Sequence, residues 1–561
     1  MTLPALPAKA GQKTTFGQLV GSSLALVAAR LTREARRPVL LVTADTPSAL
    51  RLEQELGFLL ADQDCPVLLF PDWETLPYDS FSPHQDIISQ RLETLYQLPQ
   101  MRHGVLIVPI STLMLRTAPQ AYLDKYSLMV TSGQRLNLQQ LRGRLAEAGY
   151  VAVEQVLEHG EFAARGSLLD LFPMGSSRPY RIDFFDDEVD SIRPFDPETQ
   201  RSSEPVKSVS LLPAREFPTD EGAIELFRGQ YREQFEISRA EGSVYQEVSK
   251  GRWPAGIEYY LPLFFNQTAS LFDYLPGNTL LLTVGEIYPA AQRFWNDIGQ
   301  RYEDRRWDNT RPLLPPQQIY LPVEQLFAAL GDYGAVRLQE ATVDGGAGQQ
   351  DLPLAPLPDL QLDHSKEQPL LALDGFLQGF AGRTLFAVES EGRREGLGDL
   401  LARINLQPRE FASLDAFLSS DARHGLLVCP LERGFLLQEP GQTPLALITE
   451  AELLGGKIRS KRQRDKSKNL SSDAVIRNLG ELTQGQPVVH LDHGVGRYLG
   501  LETIDAGGLP TEFLTLEYAG GDKLFVPVTS LHLISRYTGS DNPPSHKLGG
   551  EAWVKARRKA A

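Results

Sequence analysis

Cysteine is nearly absent from this chain of 561 residues, in which only Cys65 and Cys429 occur and neither lies in a CxxC or Cys/His cluster. This scarcity excludes a disulfide framework and a cysteine-based zinc site, and it is typical of a reducing compartment. No apolar run approaches the ~20 residues that a membrane helix needs. The first residues also lack the apolar core of a secretory signal. The sequence therefore predicts a soluble, cytoplasmic protein with no membrane contact.

An overall excess of positive charge is also missing, because 56 Lys and Arg stand against 71 Asp and Glu, for a net charge of -15. Positive charge is concentrated in two places. Residues 457–468 contain seven Lys/Arg and one Asp, and residues 547–561 contain five Lys/Arg and one Glu. An acidic body makes a poor general clamp for nucleic acid. A solvated linker is the favoured interpretation of residues 457–468, and phosphate contact there is the alternative.

No complete nucleotide-binding loop is present. Such a loop reads GxxxxGK[ST], since its backbone amides surround phosphates and its lysine meets the outer oxygens. The string GQLVGSSL at residues 17–24 precedes a predicted helix and a predicted strand, as a first such loop would, but it lacks the lysine. The acidic string DEVD at residues 187–190 lies in a β-rich region and is interpreted as a solvated turn. His490 and His493 have no third ligand nearby. The residues themselves predict no catalytic site, no metal site and no cofactor.

The length suggests about three to five domains. Near the N-terminus, helical spacing at residues 19–31, 48–60 and 87–98 alternates with short apolar strands, which predicts a parallel α/β sheet. The predicted divisions are an α/β domain at 1–125, a β-rich domain at 126–213, more of the α/β domain at 214–342, a linker at 343–360, a small α/β domain at 361–455, a basic linker at 456–480, a β domain at 481–545 and the start of a basic helix at 546–561.

Several strings resemble the repair helicase UvrB. Residues 159–173 (HGEFAARGSLLDLFP) and 180–193 (YRIDFFDDEVDSIR) resemble the UvrB domain that docks on UvrA. Residues 254–259 (PAGIEY) and 271–276 (LFDYLP) resemble the UvrB core ahead of its second ATPase motif. The segment at 73–81 is too short for the long damage-probing hairpin of UvrB.

The resemblance implies a nucleotide site that has degenerated. Gly17 and Gly21 remain from the phosphate loop, but its lysine is missing. The second ATPase motif would carry Asp-Glu after an apolar strand, whereas this chain has Gly285 and Glu286.

Two strings in the last β domain carry a second resemblance. Residues 486–498 (QPVVHLDHGVGRY) and 525–534 (FVPVTSLHLI) are similar to the RNA-polymerase-interacting domain of the transcription-repair coupling factors, which CarD-type regulators share. An ATPase-deficient UvrB-like module followed by such a domain is the organisation of that family. The resemblance covers essentially the whole chain and implies the N-terminal half of a member, with an ATP-dependent motor expected after Ala561.

The implied fold is multidomain: a degenerate helicase-like α/β core with a β-rich insert, a small α/β domain, and a small CarD/Tudor-like β-barrel. The implied function is an adaptor that binds the RNA polymerase β subunit and recruits UvrA. ATP and Mg are expected only in the motor, which is also expected to make most contacts with DNA. The alternatives are a UvrB-type ATP-dependent repair enzyme and a CarD-like transcription regulator.

The resemblance also implies which residues contact the partners. Arg165, Arg181 and Phe185 match the UvrA-contacting positions of the family. Adjacent strand residues point to opposite faces, so one of Phe184 and Phe185 should face outward. The competing interpretation buries both phenylalanines and leaves the arginines solvated.

For the polymerase, the resemblance implies an edge that begins at Arg497, Tyr498 and Leu499 and pairs with a strand of the β subunit. The alternative buries Leu499 in its own barrel. Gly494 and Gly496 are predicted to form a tight turn.

Overall fold

A computed structural model describes residues 6–7, 9–61, 65–237, 240, 242–362, 369–454, 485–490, 494–505, 510–519, 521–527 and 534–536. The chain divides into two compact units. The first unit runs to Pro356 and includes residues 429–431 and 435–444, and the second contains the rest. The basic segments predicted at 457–468 and 547–561 lie outside the described residues.

The strands are numbered in chain order. In the first part of the chain they are β1 (Lys13–Gly17), β2 (Pro38–Thr43), β3 (Val67–Leu69), β4 (Gly104–Pro109), β5 (Leu128–Thr131), β6 (Val151–Ala152), β7 (Glu161–Arg165), β8 (Leu168–Leu171), β9 (Tyr180–Phe185), β10 (Glu188–Pro194), β11 (Ser208–Leu211), β12 (Leu280–Val284), β13 (Gly334–Leu338), β14 (Gln349–Asp351) and β15 (Leu354–Ala355). They continue with β16 (Arg383–Val388), β17 (Arg409–Phe411), β18 (His424–Val428), β19 (Phe435–Leu437), β20 (Leu445–Thr449), β21 (Pro487–His490), β22 (Gly494–Asp505), β23 (Pro510–Glu517), β24 (Lys523–Pro527) and β25 (Ile534–Arg536).

The helices are numbered in the same way. They are α1 (Ser23–Ala35), α2 (Thr46–Leu59), α3 (Gln85–Gln97), α4 (Ile110–Leu113), α5 (Gln120–Tyr126), α6 (Leu138–Glu147), α7 (Glu221–Gln234), α8 (Val244–Ser249), α9 (Ile287–Arg305), α10 (Pro316–Ile319), α11 (Val323–Leu330), α12 (Leu371–Gly379), α13 (Glu391–Ala402), α14 (Leu414–Leu418) and α15 (Glu450–Leu454). Short 3₁₀ helices lie at Leu98–Gln100, Ile257–Phe264 and Leu271–Tyr274. In the part of the chain that the structure covers, no helix is both long enough and apolar enough to span a bilayer.

A parallel sheet with strand order β14-β1-β13-β12-β2-β4-β3 is the centre of the first unit. Strands β2 and β4 are buried along their whole length, as expected for a sheet that is covered on both faces. The parallel α/β arrangement and the three N-terminal helices predicted from the sequence are confirmed. Helix α1 begins only at Ser23, because Gln18 and Gly21 have φ of 62° and 57° and the chain forms a loop there.

The stretch predicted to be a linker, residues 343–360, differs from a plain linker because it contains β14 and β15. Strand β14 extends the parallel sheet beside β1, and β15 pairs antiparallel with β19. Residues 345 and 348 are glycines with φ near 75°, which lets the chain turn back towards β1.

Residues 128–217, referred to as the insert, follow α5. Their main sheet has the order β10-β9-β8-β7-β6, and β5 pairs separately with β11. The predicted hairpin between β8 and β9 is confirmed by antiparallel pairing. The acidic string at 187–190 lies away from the parallel sheet. It is only partly the predicted solvated turn, because Asp187 lies in the β9–β10 turn whereas residues 188–190 begin β10 and Val189 is buried.

The second unit contains two sheets. A small parallel sheet places β16 between β20 and β18, with β17 beyond β18. The later strands form an antiparallel sheet in the order β24-β23-β22-β21-β25. The predicted mixture of α/β and β domains is therefore present. The domain limits stay predictions.

Candidate functional site

The insert sheet has one buried face and one outer face, because side chains alternate along its strands apart from a register shift in β10 between Val189 and Ser191. The buried face carries Phe162, Leu169, Leu171, Ile182 and Phe184, which belong to the main core of the first unit. The outer face is set by the register of the strands. Across it, Arg165 pairs with Leu168 and Leu168 with Asp183, while Asp170 pairs with Arg181. Because these pairs share a face, the structure brings the three predicted UvrA-contact residues to the same side of the sheet.

Phe185 is the most exposed large apolar side chain of the insert. It retains 74% of its accessible surface, whereas the neighbouring Phe184 retains 6%. The prediction that one of the two points outward is confirmed, and the outward residue is Phe185. Its cross-strand neighbour is Glu188, which is also exposed.

Arg181 is not a free cation on this face. Its Nε and Nη2 atoms donate to the two carboxylate oxygens of Asp170 at 2.7 and 2.8 Å, and its guanidinium lies 5.1 Å from the ring centre of Phe195. The hydrogen bond to Asp170 raises the pKa of Arg181. Sequence reasoning missed Asp170, although the hairpin pairing of the two UvrB-like strings places it directly opposite Arg181.

Arg165 lies at the end of β7 and is exposed. Its guanidinium donates to the carbonyl oxygen of Glu154. Residues 153–158 lie beside the sheet here, and Val156 joins a small apolar cluster with Ala163, Phe172 and Phe195. The cluster covers one end of the outer face, and the end that carries Arg165 and Phe185 remains open to solvent.

The three residues predicted to bind polymerase lie in β22, and their environments differ. Arg497 is half-buried and donates to the carbonyl oxygen of Gly485 at 3.1 Å. Tyr498 is only 5% exposed, and its backbone pairs with residues 485 and 486 through hydrogen bonds of 2.7 and 2.9 Å. Leu499 is half-buried. At Arg497, β21 and β23 flank β22 on both sides, so the described strands leave no free edge at that residue. Which residues contact the polymerase stays a prediction.

Among the described residues, the side of β22 opposite β23 has no partner strand beyond Tyr498. The register of β22 against β23 shifts between Tyr498 and Gly500, so Leu499 is the extra residue of a β-bulge. Strand β21 ends its pairing at Arg497, whereas β22 continues to Asp505. Along residues 500–505, none of the described strands pairs with the side of β22 opposite β23. Gly496 also differs from prediction, since it lies inside β22, where a β-carbon would approach the Tyr518 ring to 3.1 Å.

The loop that resembles a degenerate phosphate loop already has partners for its amides. The amides of Gln18 and Leu19 donate to the carbonyl oxygens of Ala341 and Gln339, both at 3.1 Å. The amide of Val20 donates to the Ser23 hydroxyl at 2.9 Å. A β-carbon at Gly17 would collide with the Asp351 carboxylate and the Ala341 carbonyl. Residues 339–351 therefore fill the space beside Gly17.

The position predicted to replace the second ATPase motif is also engaged within the chain. Gly285 has a φ of 76° and turns the chain from β12 into α9. The carboxylate of Glu286 pairs with the guanidinium of Arg337 on β13. Both degenerate positions follow strands of one parallel sheet, at the edge where their carboxyl ends meet.

Family models match three separate segments of the chain. They are described as "UvrB interaction domain" (residues 128–217), "MFD, D3 domain" (residues 376–453) and "CarD-like/TRCF RID domain" (residues 482–538). The transcription-repair-coupling factor of Escherichia coli strain K12 is 51% identical over 99% of this chain and 48% of its own length. Over nearly its whole length, the chain is therefore similar to about half of a transcription-repair-coupling factor. The resemblance seen in the sequence is thereby confirmed.

Other members of the family show the same coverage. The Haemophilus influenzae factor is 48% identical over the whole of this chain, and the Bacillus subtilis factor is 28% identical over 96% of it. These alignments include 48% and 46% of the relatives' own lengths. The chain thus spans about half the length of the curated family members that it matches.

Proposed function

We propose that this chain is the adaptor portion of a transcription-repair coupling factor, which binds UvrA through the outer face of the insert and RNA polymerase through β22. The observation that carries the proposal is the exposure of Phe185 on the same face as Arg165 and Arg181, inside the segment that matches the UvrB interaction domain. Aromatic residues and arginine dominate the hot spots of protein interfaces, so this combination suits a protein partner.

The open edge of β22 supports the polymerase half of the proposal. Its backbone groups along residues 500–505 can extend a sheet by pairing with a strand of the β subunit, an arrangement in which main-chain hydrogen bonds supply affinity. The half-buried Leu499 lies where this edge begins. The finer description of the domain as a CarD/Tudor-like barrel belongs to the same proposal, and it is supported by the antiparallel order of β21 to β25 and by the match to the CarD-like model.

We also infer that the parallel sheet of the first unit is a helicase-like core without nucleotide chemistry. Phosphate loops bind through free backbone amides, and three amides of residues 18–20 already have acceptors within the chain. ATP, Mg and the translocase activity are proposed to belong to the part of the family members that this chain does not match. DNA contact is assigned to the same part.

Titration of the chain with UvrA, and separately with the RNA polymerase β subunit, tests the proposal. Saturable binding of both is expected, with UvrA binding lost in Phe185→Ala and polymerase binding retained. An ATPase assay separates the adaptor from a UvrB-type enzyme, because the enzyme would hydrolyse ATP at a rate that a Glu286→Gln variant lowers. A CarD-like regulator would bind polymerase and leave UvrA untouched.

A further inference from the structure

Two charged contacts join the insert to the segment around α3. The first is fully buried: the Nε atom of Arg91 donates to Glu216 at 2.8 Å, and the two side chains are 0% and 2% exposed. The indole of Trp73 donates to the other Glu216 oxygen at 2.7 Å. The guanidinium of Arg91 keeps its proton at any ordinary pH.

The second contact is made by His159, just before β7. Its Nδ1 atom lies 2.7 Å from a carboxylate oxygen of Asp86 in the first turn of α3, and its Nε2 atom lies 2.7 Å from the carbonyl oxygen of Ser176. The side chain is 13% exposed, and its ring centre lies 3.9 Å from that of Phe172. Both ring nitrogens therefore face an oxygen that can only accept.

This geometry specifies a protonation state. A neutral imidazole has one N–H donor, so in either tautomer one nitrogen lone pair would oppose an oxygen at 2.7 Å. Only the imidazolium cation donates from both nitrogens, and the Asp86 carboxylate balances its charge. We propose that His159 is a positioning residue, held as the imidazolium, whose proton clamps the insert onto α3 and thereby orients the face that carries Arg165 and Phe185.

The clamp is connected to that face through one strand. Strand β7 starts two residues after His159 and ends at Arg165, so a displacement at one end is carried along a sheet strand to the other. A neighbouring contact reports on the same junction: the amide of Gly175 donates to the hydroxyl of Ser89 on α3 at 2.8 Å. The functional part of the proposal rests on the proposed docking of UvrA.

Charged and titratable groups face His159 from both elements that pack against it. On α3 it faces Asp86, with His84 and Glu93 nearby, and the hydrogen bond from His159 lowers the pKa of Asp86. Burial raises the pKa of Glu93. On the insert, the Glu161 carboxylate is turned away and accepts the amides of residues 157 and 158 at 2.8 and 2.9 Å.

The proposal is tested on the full chain with ¹⁵N-labelled histidine. At pH 7 the His159 resonances should show protons on both ring nitrogens, and Asp86→Asn should reduce this to one. In His159→Gln, hydrogen exchange at the Gly175 amide should become faster by about tenfold, the equilibrium change expected from losing one charge-assisted hydrogen bond. His84→Gln, which alters an exposed histidine beside Asp86, is the matched control and should leave Gly175 protected.

The functional readout is UvrA affinity at pH 7. His159→Gln should bind UvrA more weakly than the native chain, and His84→Gln should bind it as the native chain does. A single ring proton on His159 at pH 7, or unchanged protection of Gly175 in His159→Gln, would overturn the clamp. Loss of UvrA binding in Phe185→Ala is independent of these results, so the clamp can fail while the proposed docking face stands. If Phe185→Ala binds UvrA normally, the outer face of the insert is not the docking site for UvrA. The NMR and exchange data still decide whether the clamp exists.

Discussion

Arg181 and Asp170 face each other on adjacent strands of the insert and are joined by two parallel hydrogen bonds of 2.7 and 2.8 Å. The pair lies over the ring of Phe195, so it covers part of the small apolar cluster on the outer face. Arg181 therefore has a structural task besides any contact with UvrA. A loss of UvrA binding on its removal needs a stability control before it is interpreted as a lost contact.

Arg181→Ala is expected to destabilise the insert, because it leaves the Asp170 carboxylate, which is 8% exposed, without its bidentate partner. A loss of about 2 kcal/mol in the free energy of unfolding is typical of breaking such a pair. The double variant Arg181→Ala/Asp170→Ala should recover part of it in urea unfolding. Arg165→Ala is the control and should change stability by no more than about 0.5 kcal/mol, since Arg165 is exposed. Equal effects of the two arginine variants would contradict this account.

Phe185→Ala should weaken UvrA binding by about 2 kcal/mol or more, roughly thirtyfold in affinity, with no loss of stability. The reason is that Phe185 is 74% exposed in the free chain and has little packing to lose. Phe184→Ala is the matched control, because it removes a buried ring from the core and should cost about 3–5 kcal/mol of stability. Calorimetric titration with UvrA and thermal unfolding distinguish the two. If Phe185→Ala binds UvrA normally, the outer face of the insert is excluded as the docking site.

The contrast between Phe184 and Phe185 shows which structural features could be predicted from the sequence. Strand alternation alone predicts that one of them points outward, and the family resemblance selects Phe185. The parallel sheet was predictable in the same way, because its buried strands and amphipathic helices have different apolar periods. These features depend on local patterns, which a single sequence contains.

Other features depend on residues that meet only after folding. The Asp351 carboxylate that blocks Gly17 comes from a Gly- and Gln-rich stretch. Because this stretch has no apolar pattern, β14 could not be predicted from the sequence. The bulge at Leu499 depends on the register between β22 and β23. The alternation of side chains along one strand does not reveal where an extra residue interrupts that register. The same reason explains why Tyr498, predicted as a contact residue, is buried.

Leu499→Arg should abolish binding to the polymerase β subunit and leave the fold intact. Leu499 is half-buried at the start of the open edge, and a guanidinium there would lose its hydration when a partner strand pairs. Tyr498→Arg provides the comparison, since it places the same charge at a side chain that is 5% exposed and should unfold the β domain. Pull-down on the β subunit is interpreted together with circular dichroism. Retained binding by a folded Leu499→Arg would exclude this edge.

The final prediction concerns Glu258, a carboxyl group that is 5% exposed and accepts a hydrogen bond from Ser82 at 2.7 Å. Burial raises its pKa above the ordinary value of 4.5, despite the opposing effects of the Ser82 hydrogen bond and of Arg215. The unfolded chain therefore releases this proton at a lower pH than the folded chain does. In the window above 4.5, the native state binds more protons than the unfolded state, so this group lowers stability as pH rises.

Glu258→Gln removes the ionisation and can still accept from Ser82, so it should be more stable than the native chain at pH 8 and gain less, or nothing, at pH 5. Urea unfolding followed by tryptophan fluorescence is suitable, because Trp73, Trp253, Trp295 and Trp307 lie in the first unit. Glu225→Gln on the exposed side of α7 is the control and should show no such difference between the two pH values. A Glu258→Gln variant that is less stable at pH 8 than at pH 5, relative to the native chain, would mean that Glu258 is held as a charged partner of Arg215, with its pKa lowered by that cation.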